Sequence, residues 1–197
     1  MKKDIFTISI YRSSNYNPTY NKLILEELEV CKQQKGVVKS NVGGFQTPDI
    51  KNKKVLEETS QLVVTHLSNY LSIIQDTQLK PVNIRLGNCW INENYQHSSN
   101  TIHTHAGSSF SGVFYLKTPV NSGKLEFYNE NSPVNLMSPH YSSYISGSSD
   151  FHSVHIVTPK VNDIIIFPSY LKHAVSQSMS DEPRISLSFN LEVMPNG

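Results

Sequence analysis

Cysteine is scarce in this chain. Cys31 and Cys89 are the only two and have no CxxC spacing, which excludes a disulfide framework and suits a reducing cytoplasmic setting with two free thiols. An excess of charge of one sign is also lacking. Lysine and arginine number 17 against 16 acids, a net charge of +1, so no field gathers nucleic acid or anionic lipid, and neither is expected as a partner. The one dense basic run, Lys51-Asn52-Lys53-Lys54, opens a predicted helix and reads as solvated surface, with phosphate binding the lesser reading. No stretch approaches the ~18 apolar residues of a membrane span. The start, "MKKDIFTISIYRSS", is interrupted by Asp4 and has no small-residue cleavage site, so it does not read as a signal peptide. There is no internal repeat.

What is present is enough chain for one sizeable core. The length of 197 residues predicts a single domain over 1–197, with a helical support region over 1–80 and a β core over 82–194. "FTISIY" (6–11) alternates like a strand. "PTYNKLILEELEVCKQQKG" predicts an amphipathic helix over about 19–34, with Leu23, Leu25, Leu28 and Val30 as its apolar residues and Gly36 as its stop. A second helix follows, in which Leu56, Val63, Leu67, Tyr70 and Ile74 mark one face, and Pro81 ends it. His66 sits on that helix face.

From residue 82 the texture changes to short apolar runs broken by Asn, Gly, Pro and Ser: "VNIRLGNCWINE", "SGVFYLKTPV", "GKLEFYNE", "VHIVTP", "DIIIFPS", "HAVSQSM" and "RISLSFNLEV". Such spacing argues against alternating βαβ units. It predicts a mainly β (α+β) fold, a jelly roll of two antiparallel sheets with the N-terminal helices packed on one of them. The stretch "SPHYSSYISGSSDFHS" reads as a surface loop.

His103 and His105 stand two apart, so on a strand they share a face with Cα atoms roughly 6.5–7 Å apart. Two imidazoles at that spacing can converge on one ion, and "DIIIFPSYLKHAVSQ" offers His173 as a third ligand. Three histidines suit iron, zinc, copper or nickel rather than calcium or magnesium, and a facial set leaves open positions for chemistry. An HxH pair alone also occurs in exposed strands and in zinc hydrolases. Beyond His173 lies Arg184, in "EPRISLSFN", where Arg184, Ser186 and Ser188 alternate with Ile185, Leu187 and Phe189. An inward arginine needs an anion, and its fork matches a carboxylate. Ser186, on the same face, can add a hydroxyl. A glutamate partner for Arg184 at the sheet edge is the bland alternative.

Taken together, "HTH", "SGVFYL", "DIIIFPSYLKH" and "RISLSFN", with "GGFQTPDI" and "CWINENYQ" upstream, resemble the iron(II)- and 2-oxoglutarate-dependent oxygenase superfamily. The likeness is to a small subgroup with an HxH…H…RxS pattern, and it spans about residues 43–191. The resemblance implies a double-stranded β-helix, cupin-like, with His103, His105 and His173 as metal ligands and Arg184 with Ser186 holding the distal carboxylate of 2-oxoglutarate. It implies Fe(II) and O2 as the other reactants, hydroxylation of an unidentified substrate, and release of succinate and CO2. His105 stands where most of the superfamily carries a carboxylate, and Ala106 where the subgroup often has proline. His97 is the alternative ligand.

Tyr115 shares the parity of His103 and His105 and is a candidate to touch 2-oxoglutarate. Trp90 and Asn92 are candidates for the substrate side, with a core aromatic and a turn residue as their plain readings. His140, His152 and His155 read as loop or surface histidines, although His155, on a strand, could face the pocket. Two rivals stand beside this reading: a three-histidine cupin dioxygenase without 2-oxoglutarate, against which Arg184 argues, and a non-catalytic metal-binding jelly-roll module. The sequence names no substrate and no oligomeric state.

Overall fold

A computed structural model of the chain describes residues 7–74, 82–130 and 153–195. Both expected helices form where side chains cap them. α1 (Pro18–Cys31) starts at Asn17, whose side chain accepts the Tyr20 N–H at 3.0 Å, with Pro18 in the first turn where no N–H is needed. α2 (Lys53–Ile74) starts beside Asn52, whose Oδ1 accepts from the backbone of Lys54 and Val55.

The faces that these helices bury differ in part from the expected ones. α1 buries Tyr20, Ile24 and Leu28, while Leu25 and Val30 are exposed. α2 buries Val55, Thr59, Val63, Leu67 and Tyr70, while Ile74 is exposed. The reason is tertiary: the Tyr20 hydroxyl meets Thr59 Oγ1 at 2.7 Å, and this bond fixes how the two helices are rotated against each other. Among the described residues, no helix is long and apolar enough to cross a membrane.

Eleven strands complete the described fold. They are β1 (Tyr11–Ser14), β2 (Asn41–Val42), β3 (Phe45–Gln46), β4 (Val82–Asn94), β5 (Ser99–His103), β6 (Phe110–Lys117), β7 (Leu125–Tyr128), β8 (Val154–Val157), β9 (Asp163–Pro168), β10 (His173–Val175) and β11 (Arg184–Pro195). A six-stranded sheet runs β1-β9-β6-β11-β4-β3, and a five-stranded one runs β2-β5-β10-β7-β8. Every pairing is antiparallel, which gives the expected jelly roll.

The first strand begins later than the alternation of residues 6–11 predicts. Residues 7–10 leave the sheet to reach α2, where Ser9 Oγ lies 3.0 Å from the Tyr70 hydroxyl, and only Tyr11 onward pairs with β9. β2 and β3 are strands that the sequence did not announce, because their short polar runs carry no apolar alternation, and β5, the strand expected to carry both His103 and His105, ends at His103.

The period-two pattern of the large sheet separates two cores. Cys89, Ile91, Phe114, Ile164, Ile166, Leu187 and Phe189 face the helices. Val113, Tyr115, Ile165 and Phe167 face the small sheet, where Leu125, Phe127 and Val157 meet them. Gly112 is required within the large sheet, where its cross-strand partner Phe189 on β11 and the β9 backbone crowd it. A Cβ there would lie 2.5 Å from Phe189 Cζ and 2.6 Å from the Ile165 carbonyl oxygen. Gly112→Ala is therefore expected to cost about 1–3 kcal/mol through overpacking, seen as a Tm lower by roughly 3–10 °C in thermal unfolding.

Candidate metal and carboxylate site

The apolar strand β9 ends at Pro168, and a turn closed by the Leu171 N–H on the Pro168 carbonyl (3.0 Å) carries the chain from the large sheet to the small one. His173 opens β10 there and is the direct cross-strand partner of His103, the last residue of β5. His105 follows just beyond that strand, and its backbone N–H donates to the Ser169 carbonyl at 3.0 Å, so the same turn positions two of the three histidines. One ring nitrogen from each of His103, His105 and His173 lies within 4.8 Å of the others. The ring centroids are 4.3 Å apart for His103 and His173, and 5.0 Å for each pair with His105.

Two of the rings have a fixed tautomer. His103 Nδ1 lies 2.8 Å from the Thr101 carbonyl and His173 Nδ1 lies 2.9 Å from the Leu171 carbonyl. A carbonyl only accepts, so each Nδ1 carries the proton and each Nε2 presents a lone pair. Burial and the neighbouring imidazoles hold the rings uncharged: the His173 pKa falls to about 3 and that of His105 to about 4, and burial also lowers that of His103. Three neutral, converging nitrogen donors fit a divalent transition-metal ion. Phe167 packs edge-on to His173 at 4.6 Å and Trp90 lies 5.8 Å from His105, so apolar walls back the donors.

Arg184 opens β11 on the inner face of the large sheet and is 2% exposed. Its Nη2 donates to Asn94 Oδ1 at 2.9 Å, while Nε and Nη1 are buried with no hydrogen-bond partner. No acid among the described residues pairs with it, so the glutamate alternative does not hold. Burial pushes its pKa down, and Tyr115, with its ring centroid 6.0 Å from the guanidinium carbon, acts in the opposite direction. An unpaired buried cation costs several kcal/mol. The unpartnered N–H groups of Nε and Nη1, beside the second N–H of Nη2, are donors that a carboxylate would satisfy.

Ser186 is buried two residues along the same face, and its register partner on β6 is Tyr115. Tyr115 is buried, and burial raises its hydroxyl pKa to about 12, so it stays protonated and able to donate. All six residues singled out above, His103, His105, His173, Arg184, Ser186 and Tyr115, line one cavity of about 970 Å³, together with Trp90 and Asn92.

Other candidates fall elsewhere. His97 is exposed, in a left-handed turn (φ 66°), and is not in the histidine cluster. His155 is exposed on β8 and lines no part of the cavity. His66 faces Tyr11, its Nδ1 3.0 Å from the Tyr11 hydroxyl. His140, His152 and nearly all of the loop over 138–153 lie outside the described residues.

Several site residues escaped the sequence reading. Ser40 Oγ lies 3.5 Å from His103 Nε2 and accepts from Asn100 Nδ2 at 3.1 Å. Nothing in its irregular surroundings marks it. Asn94 could have been found, because it shares the parity of Trp90 and Asn92 on β4.

Residues 88–190, just over half of the chain, match the family described as "Putative 2OG-Fe(II) oxygenase". Among solved structures, a prolyl-4-hydroxylase from Pseudomonas putida is similar, with a TM-score of 0.61 and 12% identity over 97% of this chain and 95% of that one. HygX from Streptomyces hygroscopicus, solved with nickel, 2-oxoglutarate and hygromycin B bound, has a TM-score of 0.59 and 13% identity over 94% of this chain and 83% of that one. The viral collagen prolyl hydroxylase of Paramecium Bursaria Chlorella virus-1, in complex with 2-oxoglutarate, has a TM-score of 0.54 and 12% identity, covering 92% and 94%. At these identities the likeness is one of fold. No curated protein matches the sequence.

Proposed function

The chain belongs to the 2OG-Fe(II) oxygenase family, and from that premise we propose that it hydroxylates its substrate with His103, His105 and His173 as metal ligands and Arg184 as the anchor of 2-oxoglutarate. The observation that carries this assignment is the buried guanidinium with two unpartnered donor nitrogens, opening onto the same cavity as three uncharged imidazole nitrogens. When bound, Fe(II) with 2-oxoglutarate and O2 supplies an oxidising chemistry in which the keto acid is split to succinate and CO2 and one oxygen atom goes to the substrate.

The residues of this chain bind and orient. The Nδ1 bonds to Thr101 and Leu171 lock the His103 and His173 rings and leave each Nε2 lone pair as the donor that would hold the ion. Because all three ligands are neutral, the ion keeps its full charge. With Arg184 on the same cavity, and Asp49, exposed, as the one acid among the described residues that line it, the cavity favours a dianion such as 2-oxoglutarate. Arg184 takes the distal carboxylate as a two-pronged donor. Ser186 and Tyr115 add hydroxyl donors from adjacent strands, and Phe167 and Trp90 keep water from the ligands' apolar side. A three-histidine cupin working without 2-oxoglutarate would leave Arg184 with no anion to hold, which disfavours that rival.

Each neutral hydroxyl contributes one hydrogen bond, so Tyr115→Phe and Ser186→Ala are each expected to weaken 2-oxoglutarate by about 3- to 10-fold, measured by calorimetry on metal-loaded protein. The test of the function is O2 uptake with 2-oxoglutarate and Fe(II) and no added substrate. Slow succinate formation in proportion to O2 consumed, abolished by omission of either reactant, is expected. Absence of succinate from fully iron-loaded protein contradicts the proposal.

A further inference from the structure

Arg184 opens β11 and Asn94 ends β4, and the two stand directly opposite each other in register. Both are buried, at 2% and 3% exposure. A guanidinium only donates, so the atom of Asn94 that meets Nη2 at 2.9 Å is its amide oxygen and not its NH2. Arg184 lines the cavity and Asn94 does not, so Asn94 reaches a bound molecule only through the arginine.

An aspartate in the place of Asn94 would have nearly the same size and shape, so packing alone does not exclude it. It would also give Arg184 a counter-ion, and a buried cation left without one is costly. No acid supplies that counter-ion from elsewhere among the described residues. Glu182, two residues before Arg184, is exposed and pairs with Lys117 at 2.8 Å, and Asp181, also exposed, accepts from Gln96 at 2.7 Å. The Tyr115 ring, its centroid 6.0 Å from the guanidinium carbon, is neutral. The fold thus keeps a positive charge inside the sheet and sets a dipole, not an anion, against it.

We propose that Asn94 is a positioning residue for the cosubstrate: its amide oxygen holds the guanidinium by one N–H and, being uncharged, leaves the positive charge of Arg184 to the distal carboxylate of 2-oxoglutarate. This rests on the reading of Arg184 as the anchor of 2-oxoglutarate.

The bond acts in two ways. It holds one edge of a planar group before any ligand arrives, so less side-chain freedom is lost on binding. It also spares the charge. An aspartate would accept the same N–H with a full negative charge, and a second carboxylate brought to that guanidinium would meet the first as a like charge.

The test compares two keto acids on the whole protein loaded with Zn(II). 2-Oxoglutarate and 2-oxopentanoate share the keto acid group and the chain length, but the second ends in a methyl group where the first has its distal carboxylate. Calorimetric titration, by competition for the weaker ligand, gives each protein's preference for that carboxylate. In the wild type 2-oxoglutarate is expected to bind tighter by on the order of 100-fold. Asn94→Asp is expected to lower this preference by about tenfold or more and Asn94→Ala by about 3- to 10-fold, with 2-oxopentanoate affinity within about twofold of wild type in both. A role in folding alone would weaken both keto acids together. Thermal unfolding of ligand-free protein is the second readout, and Asn94→Asp is expected to unfold at or above the wild-type Tm because Arg184 gains a counter-ion.

Either variant overturns the inference if it keeps the wild-type preference or loses both keto acids alike, and so does an Asn94→Asp protein that unfolds at a lower temperature than wild type. Wild-type protein with no preference for 2-oxoglutarate overturns the reading of Arg184 itself, and the inference with it, so the two failures are told apart.

Discussion

Arg184→Ala is expected to weaken 2-oxoglutarate binding by about 100-fold or more while metal affinity stays within about twofold of wild type. The size follows from two charge-assisted hydrogen bonds, each contributing about 1.5–3 kcal/mol. The selectivity follows from position: Arg184 belongs to the large sheet, and its one hydrogen bond is to Asn94, with none to a histidine. Calorimetric titration of 2-oxoglutarate into metal-loaded protein, beside a metal titration of the same variant, reads both. The isosteric Arg184→Met sharpens the argument. In the free protein Arg184 is a buried cation with two unpartnered donor nitrogens. Its removal is expected to leave the Tm of ligand-free protein no lower than wild type, even though function is lost. A variant that destabilises the free protein and binds 2-oxoglutarate normally would contradict the assigned role.

His173→Ala is expected to abolish both metal and 2-oxoglutarate binding. Losing a hydrogen-bonding partner of a metal ligand typically costs 10- to 100-fold in affinity, so losing the ligand itself is expected to cost more than about 100-fold. His173 is the most buried of the three and pairs in register with His103, and no other His, Cys, Asp or Glu joins the cluster among the described residues. His173→Gln separates packing from ligation. It keeps volume against Phe167, 4.6 Å away in the wild type, and is expected to fold while binding metal as poorly as the alanine variant. Titration with Fe(II) or Co(II) under argon gives the affinities. Near-normal metal binding by His173→Gln would remove His173 from the ligand set.

The inner row of β11 was legible in the sequence because strand period is rigid: Arg184 and Ser186 had to share a face, and the apolar residues between them had to face away. The cluster of His103, His105 and His173 was legible in part, since strand pairing sets His103 beside His173, whereas His105 lies beyond β5 and is held by its N–H on the Ser169 carbonyl rather than by strand period. Two of the histidines lie two apart in the chain, and the third follows a strand and a proline turn that could only deliver it elsewhere in the sheets.

Residues whose positions depend on irregular backbone were less readable. Ser40 reaches His103 from a stretch that no periodicity describes. Gln46 enters the cavity from β3, a two-residue strand ordered by pairing with β4 rather than by its own propensity. The buried faces of the helices depart from their apolar periodicity for a comparable reason. The bond between Tyr20 and Thr59 sets their rotation, and no helical period contains that contact. His105 raises a different point. The sequence raised it as a departure from the carboxylate of the wider superfamily, and the structure places its ring 5.0 Å from each of the other two.

The central claim is that three imidazoles and one arginine form a single site for a metal chelated by 2-oxoglutarate. Its most direct measurement is the visible absorption spectrum of anaerobic Fe(II)-loaded protein titrated with 2-oxoglutarate. The account predicts a metal-to-ligand charge-transfer band that saturates at one equivalent of chelate per chain, weakens in Arg184→Ala through lower affinity, and is absent in His173→Ala. A fully iron-loaded protein that develops no such band at saturating 2-oxoglutarate would contradict it.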